Sequence, residues 1–267
     1  MKTEPCLPSA NAGRYSVPGL ERGLRVVEYL DRYPGGRGIG QISQDLGLPK
    51  NSVFRITLTL LKAGYLERDP DSARVRLSLK LLSLGYGALR ETPGLVEQSL
   101  GFMRQLRDAV RETVCLSVIA DDEGIVLEQV PGLWPFRCVV DPGMRQPLHA
   151  SASCKAILAF APPEDLEAIL AQLPMPRLTP HTLTDKESLR EDLRQVRECG
   201  YALDRGEHIE GIVCVAAPIL DRHGYPVASL TVTGPSGRMA PPRHAELGPQ
   251  VRATADRISR KLGYAGE

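Results

Sequence analysis

The stretch Leu46-Gly47-Leu48-Pro49 constrains this chain more than any other, because it joins two short amphipathic segments through a residue that turns left-handed without steric cost. Ahead of it, Ile39, Ile42 and Leu46 stand at i, i+3 and i+7, the repeat of a helix with one apolar stripe. Beyond it, over about Pro49 to Ala63, Val53, Ile56 and Leu60 make a second stripe, with Ser52, Arg55, Thr59 and Lys62 on the other side. Two short helices joined through glycine predict a helix-turn-helix. An earlier segment, Pro18 to Leu30, places Leu20, Leu24, Val27 and Leu30 at helical spacing and is stopped by Tyr33-Pro34-Gly35-Gly36.

In such a motif the N-terminal residues of the second helix reach base edges in the major groove. Lys50, Asn51, Ser52 and Arg55 carry groups suited to bases and phosphates, and Thr59 continues their face. After Gly64, Tyr65 to Arg68, the turn Asp69-Pro70-Asp71-Ser72 and the alternating Ala73 to Leu77 predict a hairpin that forms a wing. Its Arg68, Arg74 and Arg76 suit a phosphate backbone or an adjacent minor groove. Any one of these charges alone reads equally well as solvated surface. The ordered set, within about sixty residues, predicts double-stranded DNA as a partner.

The formal charge of the 267 residues is only +1, which at first argues against a polyanion. Residues 1 to 80, however, hold 13 Lys+Arg and 8 Asp+Glu, against 20 and 24 in the remainder, so the head is +5 and the body −4. No apolar run reaches the roughly 18 to 20 residues of a membrane helix, and residues 1 to 16 lack a signal pattern, so the expectation is a cytoplasmic protein with no membrane partner. Cys6, Cys115, Cys138, Cys154, Cys199 and Cys214 form no Cys-x-x-Cys pair and read as reduced thiols.

The chain is long enough for two domains. Residues 1–17 are expected to be a disordered tail, 18–78 the DNA-binding head, 79–92 a linker helix (Leu79 to Arg90, broken at Glu91 to Gly94) and 93–265 the body. In the body, a helix with Leu95, Leu100, Met103, Leu106 and Val110 precedes two β runs, Val114 to Ala120 and Ile125 to Val130. Phe136 to Val140 reads as another strand, Ser151 to Ala161, Glu164 to Leu170 and Lys186 to Glu198 as helices, and Tyr201 to Leu203, Ile212 to Leu220 and Val227 to Val232 as strands. A helix with Leu247, Val251, Ala255, Ile258 and Leu262 closes the chain. The fold class is α+β, an antiparallel sheet flanked by helices.

Enzyme signatures are mostly absent: there is no G-x-x-x-x-G-K-[ST], G-x-S-x-G, H-E-x-x-H, or G-x-G-x-x-G after a strand. Ser153-Cys154-Lys155 invites a nucleophile, but position 152 is alanine and no base is designated among His149, His181 and His208. Cys138, Cys154, Cys214, His149 and Asp204 have suitable metal donors at spacings that match no structural zinc pattern. No catalytic residue, metal or cofactor is assigned. The thiols fit better as lining of an interior or of a small-molecule pocket.

The chain resembles the IclR-type bacterial transcriptional regulators over roughly Leu20 to Gly263. The resemblance is carried by Leu48-Pro49-Lys50-Asn51-Ser52-Val53-Phe54-Arg55, by Gly64-Tyr65-Leu66, and by Pro147-Leu148-His149-Ala150-Ser151-Ala152-Ser153-Cys154-Lys155-Ala156. Cys199-Gly200-Tyr201-Ala202, Asp204, Glu207, Gly211, Val213 to Pro218 and Ser229 to Pro235 complete it, and Thr182 also fits. It implies a winged helix-turn-helix head, a linker helix and a GAF-like mixed α/β body that binds a small organic or aromatic acid. It further implies a homo-oligomer, dimer or tetramer, acting as repressor or activator. The implied effector-binding residues are Cys138, Ala152, Ser153, Asp204, Ile212, Cys214, Thr231 and Thr233, with Cys154 beside them where the family typically has glycine. Backbone N–H groups at the start of the 151 to 161 helix would face a carboxylate. Trp134 and Phe136 are candidates either to cap a ligand or to pack in the core. Two other readings stay open: a constitutive DNA-binding regulator with a degenerate pocket, and an enzyme acting on a small carboxylate.

Overall fold

The computed structural model describes residues 17–70, 72–82, 84 and 94–266. The expected tail lies outside these residues except for Val17, and of the expected linker helix only residues 79–82 and 84 are described, with 80–82 and 84 helical. The chain divides into two compact units between residues 93 and 94.

The first unit contains α1 (Pro18–Asp31), α2 (Ile39–Leu46), α3 (Lys50–Lys62) and the hairpin β1 (Leu66–Arg68) and β2 (Val75–Leu77). Gly47 adopts φ 64°, and its N–H closes the end of α2 on Ser43 and Gln44 carbonyls, so the chain reverses into α3 within three residues. Leu66 pairs with Leu77 and Arg68 with Val75, and an isolated bridge from Arg37 to Val75 ties the segment before α2 to the wing. The core is Val26, Tyr29, Leu30, Ile42, Leu48, Val53, Leu66 and Val75. The stripe expected on α1 is therefore rotated: Val26, Tyr29 and Leu30 are buried, while Leu20 and Leu24 stay exposed. Tyr29 turns inward because its hydroxyl bonds Asp45 on the neighbouring helix, an anchor that apolar periodicity does not weigh. Thr57 on α3 is buried at no polar cost, since its hydroxyl donates to the Val53 and Phe54 carbonyls at 2.9 Å.

The second unit holds one six-stranded antiparallel sheet of order β5-β4-β3-β8-β7-β6. Its strands are β3 (Thr113–Ala120), β4 (Glu123–Val130), β5 (Arg145–Pro147), β6 (Ala202–Asp204), β7 (Ile212–Leu220) and β8 (Pro226–Pro235). One face packs Val114, Leu116, Val213, Val215, Ala217, Leu230 and Val232 beneath α4 (Leu95–Val110) and α8 (Pro241–Lys261). The alternate residues, Cys115, Ser117, Cys214, Ala216, Ser229, Thr231 and Thr233, form a second face of small and polar side chains. Against that side lies a second core built on α5 (Ala152–Leu158), α6 (Pro163–Gln172) and α7 (Lys186–Cys199).

Phe136 to Val140, expected as a strand, is irregular; the edge strand is Arg145–Pro147, which pairs with Glu123 to Ile125. The Thr113 hydroxyl donates to the Cys138 carbonyl at 2.6 Å, and the Val140 N–H donates to Gln129 Oε1 at 3.2 Å. With side chains taking up the backbone groups of this loop, a ladder does not form there. The helix expected from 151 to 161 is shorter, Ala152–Leu158, and buried on every side.

Candidate DNA interface and candidate effector cavity

On α3 the buried side carries Val53 and Thr57, which turns Lys50, Asn51, Arg55 and Thr59 outward and leaves Ser52 half-buried. Arg68, Arg74 and Arg76 are exposed on the wing. The eight residues are thus gathered on the two elements from which a helix-turn-helix protein contacts DNA. Two of them already have partners. Arg76 pairs with Glu67 across the hairpin at 2.6 Å, an exposed contact that a phosphate must displace. The Thr59 hydroxyl donates to the Arg55 carbonyl at 2.9 Å. Ser52, Arg55 and Thr59 also border a groove whose far wall is α1, where Arg22 adds a cation.

In the second unit, a cavity of about 110 Å³ opens on the polar face of the sheet. Six residues expected at the effector site line it: Cys138, Asp204, Ile212, Cys214, Thr231 and Thr233. Cys115, Val139, Val140, Met144, Gln146, His208 and Ile209 complete the wall and were not expected at the effector site. Cys115 had a legible signal, since period-two alternation along β3 puts it on the face opposite Val114 and Leu116.

Ala152, Ser153 and Cys154 do not line the cavity. Ala152 is buried among apolar groups of the second core. Ser153 donates to Gln146 Oε1 at 2.7 Å and so stands behind a wall residue. Cys154 is fully buried over β4, where a Cβ on Gly124 would collide with its sulfur, so its thiol fills space that only glycine at 124 leaves free. Burial pushes its pKa to about 11. Trp134 and Phe136 are likewise absent from the lining. The Arg111 and Arg238 guanidinium groups lie over the Trp134 ring at 4.9 and 5.4 Å, and Arg238, paired with buried Glu112, also donates to the Phe136 carbonyl at 3.0 Å.

The polar equipment of the cavity is specific. Thr231 Oγ1 is buried without a hydrogen-bond partner among the described residues. The Cys214 thiol donates to Thr233 Oγ1 at 3.2 Å. Asp204 is 2% exposed; its Oδ1 accepts the Glu207 N–H at 2.6 Å and, longer, the His208 N–H at 3.4 Å. Burial lifts its pKa from 3.8 to about 7; the Glu207 N–H opposes the rise, the Glu207 carboxylate adds to it and the Lys155 ammonium opposes it. Burial also pushes the Cys115 thiol up to about 12 and Cys214 upward, which favours the neutral thiol over the nucleophilic thiolate at both.

Behind Asp204 lies an ionic network that no local pattern foretells. Lys155 on α5 is wholly buried, and its ammonium donates to both carboxylate oxygens of Glu207 at 3.0 and 2.8 Å. Asp192 Oδ2 of α7 lies 2.9 Å from the same nitrogen, off the hydrogen-bonding direction. Thr182 and Thr179 donate to the Glu207 carbonyl at 2.7 and 3.3 Å. The segment from Asp204 to His208 is thereby pinned at side chain and backbone to α5 and the 179–182 turn.

An exposed cationic recognition helix with a wing, on one unit, and a small buried polar cavity, on the other, define a DNA-binding regulator with a sensory domain. The chain belongs to the IclR family of bacterial transcriptional regulators: residues 19–70 match the IclR helix-turn-helix domain and residues 89–260 the bacterial transcriptional regulator IclR C-terminal domain. It is 33% identical over 258 residues to the HTH-type transcriptional repressor AllR of Klebsiella pneumoniae, covering 96% of this chain and 93% of that one. Among solved structures it is similar to the Thermotoga maritima IclR (TM-score 0.74, 28% identity, 92% of this chain and 99% of that one). It is also similar to an IclR homolog complexed with 4-hydroxybenzoate from Microbacterium hydrocarbonoxydans (TM-score 0.75, 29% identity, 91% and 99%). The protein is a ligand-responsive, DNA-binding transcriptional regulator.

Proposed function

We propose that this protein represses or activates a metabolic operon in response to a small organic acid held in the 110 Å³ cavity. The unpartnered Thr231 hydroxyl carries this reading. A buried hydroxyl without a partner costs on the order of 1–3 kcal/mol, a cost that a ligand hydrogen bond removes. Asp204, Thr233 and Gln146 supply further polar contacts around the same space. An engineered apolar cavity of about 150 Å³ holds benzene, so the volume favours a small aliphatic acid over an aromatic one unless the 138–144 side of the wall yields.

Lys50, Asn51, Ser52, Arg55 and Thr59 then address bases and nearby phosphates, and Arg68, Arg74 and Arg76 the backbone beside them. One recognition helix covers one half-site, so a homo-oligomer on a two-fold operator is the fitting assembly. The effector shifts the equilibrium between operator-competent and incompetent states through its different affinity for the two.

The test is operator binding by the full chain, with an operator obtained by site selection, measured across a panel of two- to eight-carbon monocarboxylates. At least one is expected to change operator affinity in the wild type and to lose that effect in Thr231→Val. Arg55→Ala should weaken specific operator binding and leave the thermal shift with the acid intact. An effector response undiminished in Thr231→Val, or specific affinity unchanged in Arg55→Ala, sinks the corresponding half of the proposal, and a panel without effect favours a constitutive regulator.

A further inference from the structure

Phe54 lies in the first half of α3 and is 45% exposed, with Leu58, one turn on, 44% exposed. The helix has little reason of its own to show an aromatic ring to water: exposing apolar surface costs roughly 25 cal/mol per Å². Asn51, Phe54, Arg55 and Leu58 follow one another at helical spacing on the side away from Val53 and Thr57, so the apolar pair flanks Asn51 and Arg55. The Phe54 carbonyl accepts the Thr57 hydroxyl at 2.9 Å, tying the backbone beneath the ring to the buried side of the helix.

The surroundings of the ring say what it meets. From Pro49 to Ala63 there are three cations, Lys50, Arg55 and Lys62, and no acidic residue, so this face complements a polyanion. It is continuous with the DNA interface already assigned to α3. The apolar feature that a major groove offers to a side chain is the C5-methyl group of thymine.

We propose that Phe54 is a specificity-determining residue, its ring packing on a thymine methyl in each operator half-site. The proposal rests on the reading that α3 enters the major groove. Asn51, three residues earlier on the same face, has the amide geometry to pair with adenine, so the two side chains together select an A·T pair or two adjacent ones.

The experiment replaces each thymidine of the selected operator by deoxyuridine, which removes the methyl and keeps base pairing, and measures affinity for the wild type, Phe54→Ala and Leu58→Ala. One methyl contact is worth roughly 0.8 kcal/mol, or about fourfold in affinity. Wild type should lose about that factor at one or more thymines per half-site, Leu58→Ala should lose the same, and Phe54→Ala should be indifferent there. Circular dichroism and binding to unrelated duplex DNA verify that the variant is folded, and Phe54→Leu, which keeps an apolar contact, should retain part of the discrimination. The proposal is overturned if no position separates wild type from Phe54→Ala, or if the coupling moves to Leu58. Failure to select any operator removes the DNA reading itself; an operator sensitive to Arg55→Ala but blind to deoxyuridine removes only the role of Phe54.

Discussion

The two faces of the six-stranded sheet are made by alternate residues of the same strands, yet they do opposite things. On β8, Leu230 and Val232 enter the core beneath α4 and α8, while Thr231 and Thr233 turn to the cavity. On β7, Val213 and Val215 face the core and Cys214 the cavity. The first face is close-packed hydrocarbon; the second holds polar groups that the fold leaves incompletely paired, with an ionic network behind them. The difference teaches that stability and sensing are separated here by one residue of register, so substitutions at neighbouring positions should differ in sign as well as size.

The largest effect is expected behind the polar face. Glu207→Ala leaves the buried Lys155 ammonium without the carboxylate that clasps it and should cost about 3–5 kcal/mol in chemical denaturation of the full chain. A loss below about 1 kcal/mol would mean that water or Asp192 compensates, and that the network does not hold the cavity wall.

Asp204→Asn comes next and depends on pH. The native carboxyl titrates near 7 against 3.8 for an ordinary aspartate, so the folded state holds its proton longer than the unfolded state. Stability is therefore full below about pH 4, falls as pH rises toward 7, and stays low above it. Asparagine mimics the protonated acid and still accepts the Glu207 N–H, so the variant should be more stable than wild type at pH 8, by up to about 4 kcal/mol, and equal at pH 4. Thermal unfolding of both proteins at both pH values checks this; a variant destabilised at pH 8 would show that Asp204 is held as a carboxylate.

The sharpest form of the comparison uses adjacent residues of one strand. Leu230→Ala should cost about 3 kcal/mol through lost packing and a cavity. Thr231→Val keeps the shape and removes the unpartnered hydroxyl, so it should stabilise the ligand-free protein by about 1 kcal/mol. Equal losses at both sites would erase the distinction between the faces.

Much of this was legible in order and in kind. Gly47 and the two stripes around it place the helix-turn-helix, because a left-handed turn and a helical repeat are local properties. Period-two alternation along β7 and β8 sorts core from cavity once the strands are granted. The errors occur where a neighbour decides. Leu20 and Leu24 form as good a stripe as Val26, Tyr29 and Leu30, and only the positions of Ile42 and Asp45 choose between them. Arg145–Pro147 is too short to announce itself and exists because β4 offers it an edge. Ser153 and Cys154 were expected at the site, but Ser153 bonds Gln146, which itself lines the cavity, and Cys154 is buried against Gly124.

The sequence by itself determined most of the element order, the glycine turn and the basic head on an acidic body, which follow from periodicity, backbone freedom and composition and need no partner to act. The family was legible separately, as a resemblance of whole motifs. Only the tertiary structure decided that Lys155 is buried between Glu207 and Asp192, that Thr231 is left without a partner, and that Phe54 remains in the open. Burial and hydrogen bonding are relations between residues far apart in the chain, 52 positions for Lys155 and Glu207 and 126 for Arg238 and Glu112, and a single chain position carries no record of what will pack against it.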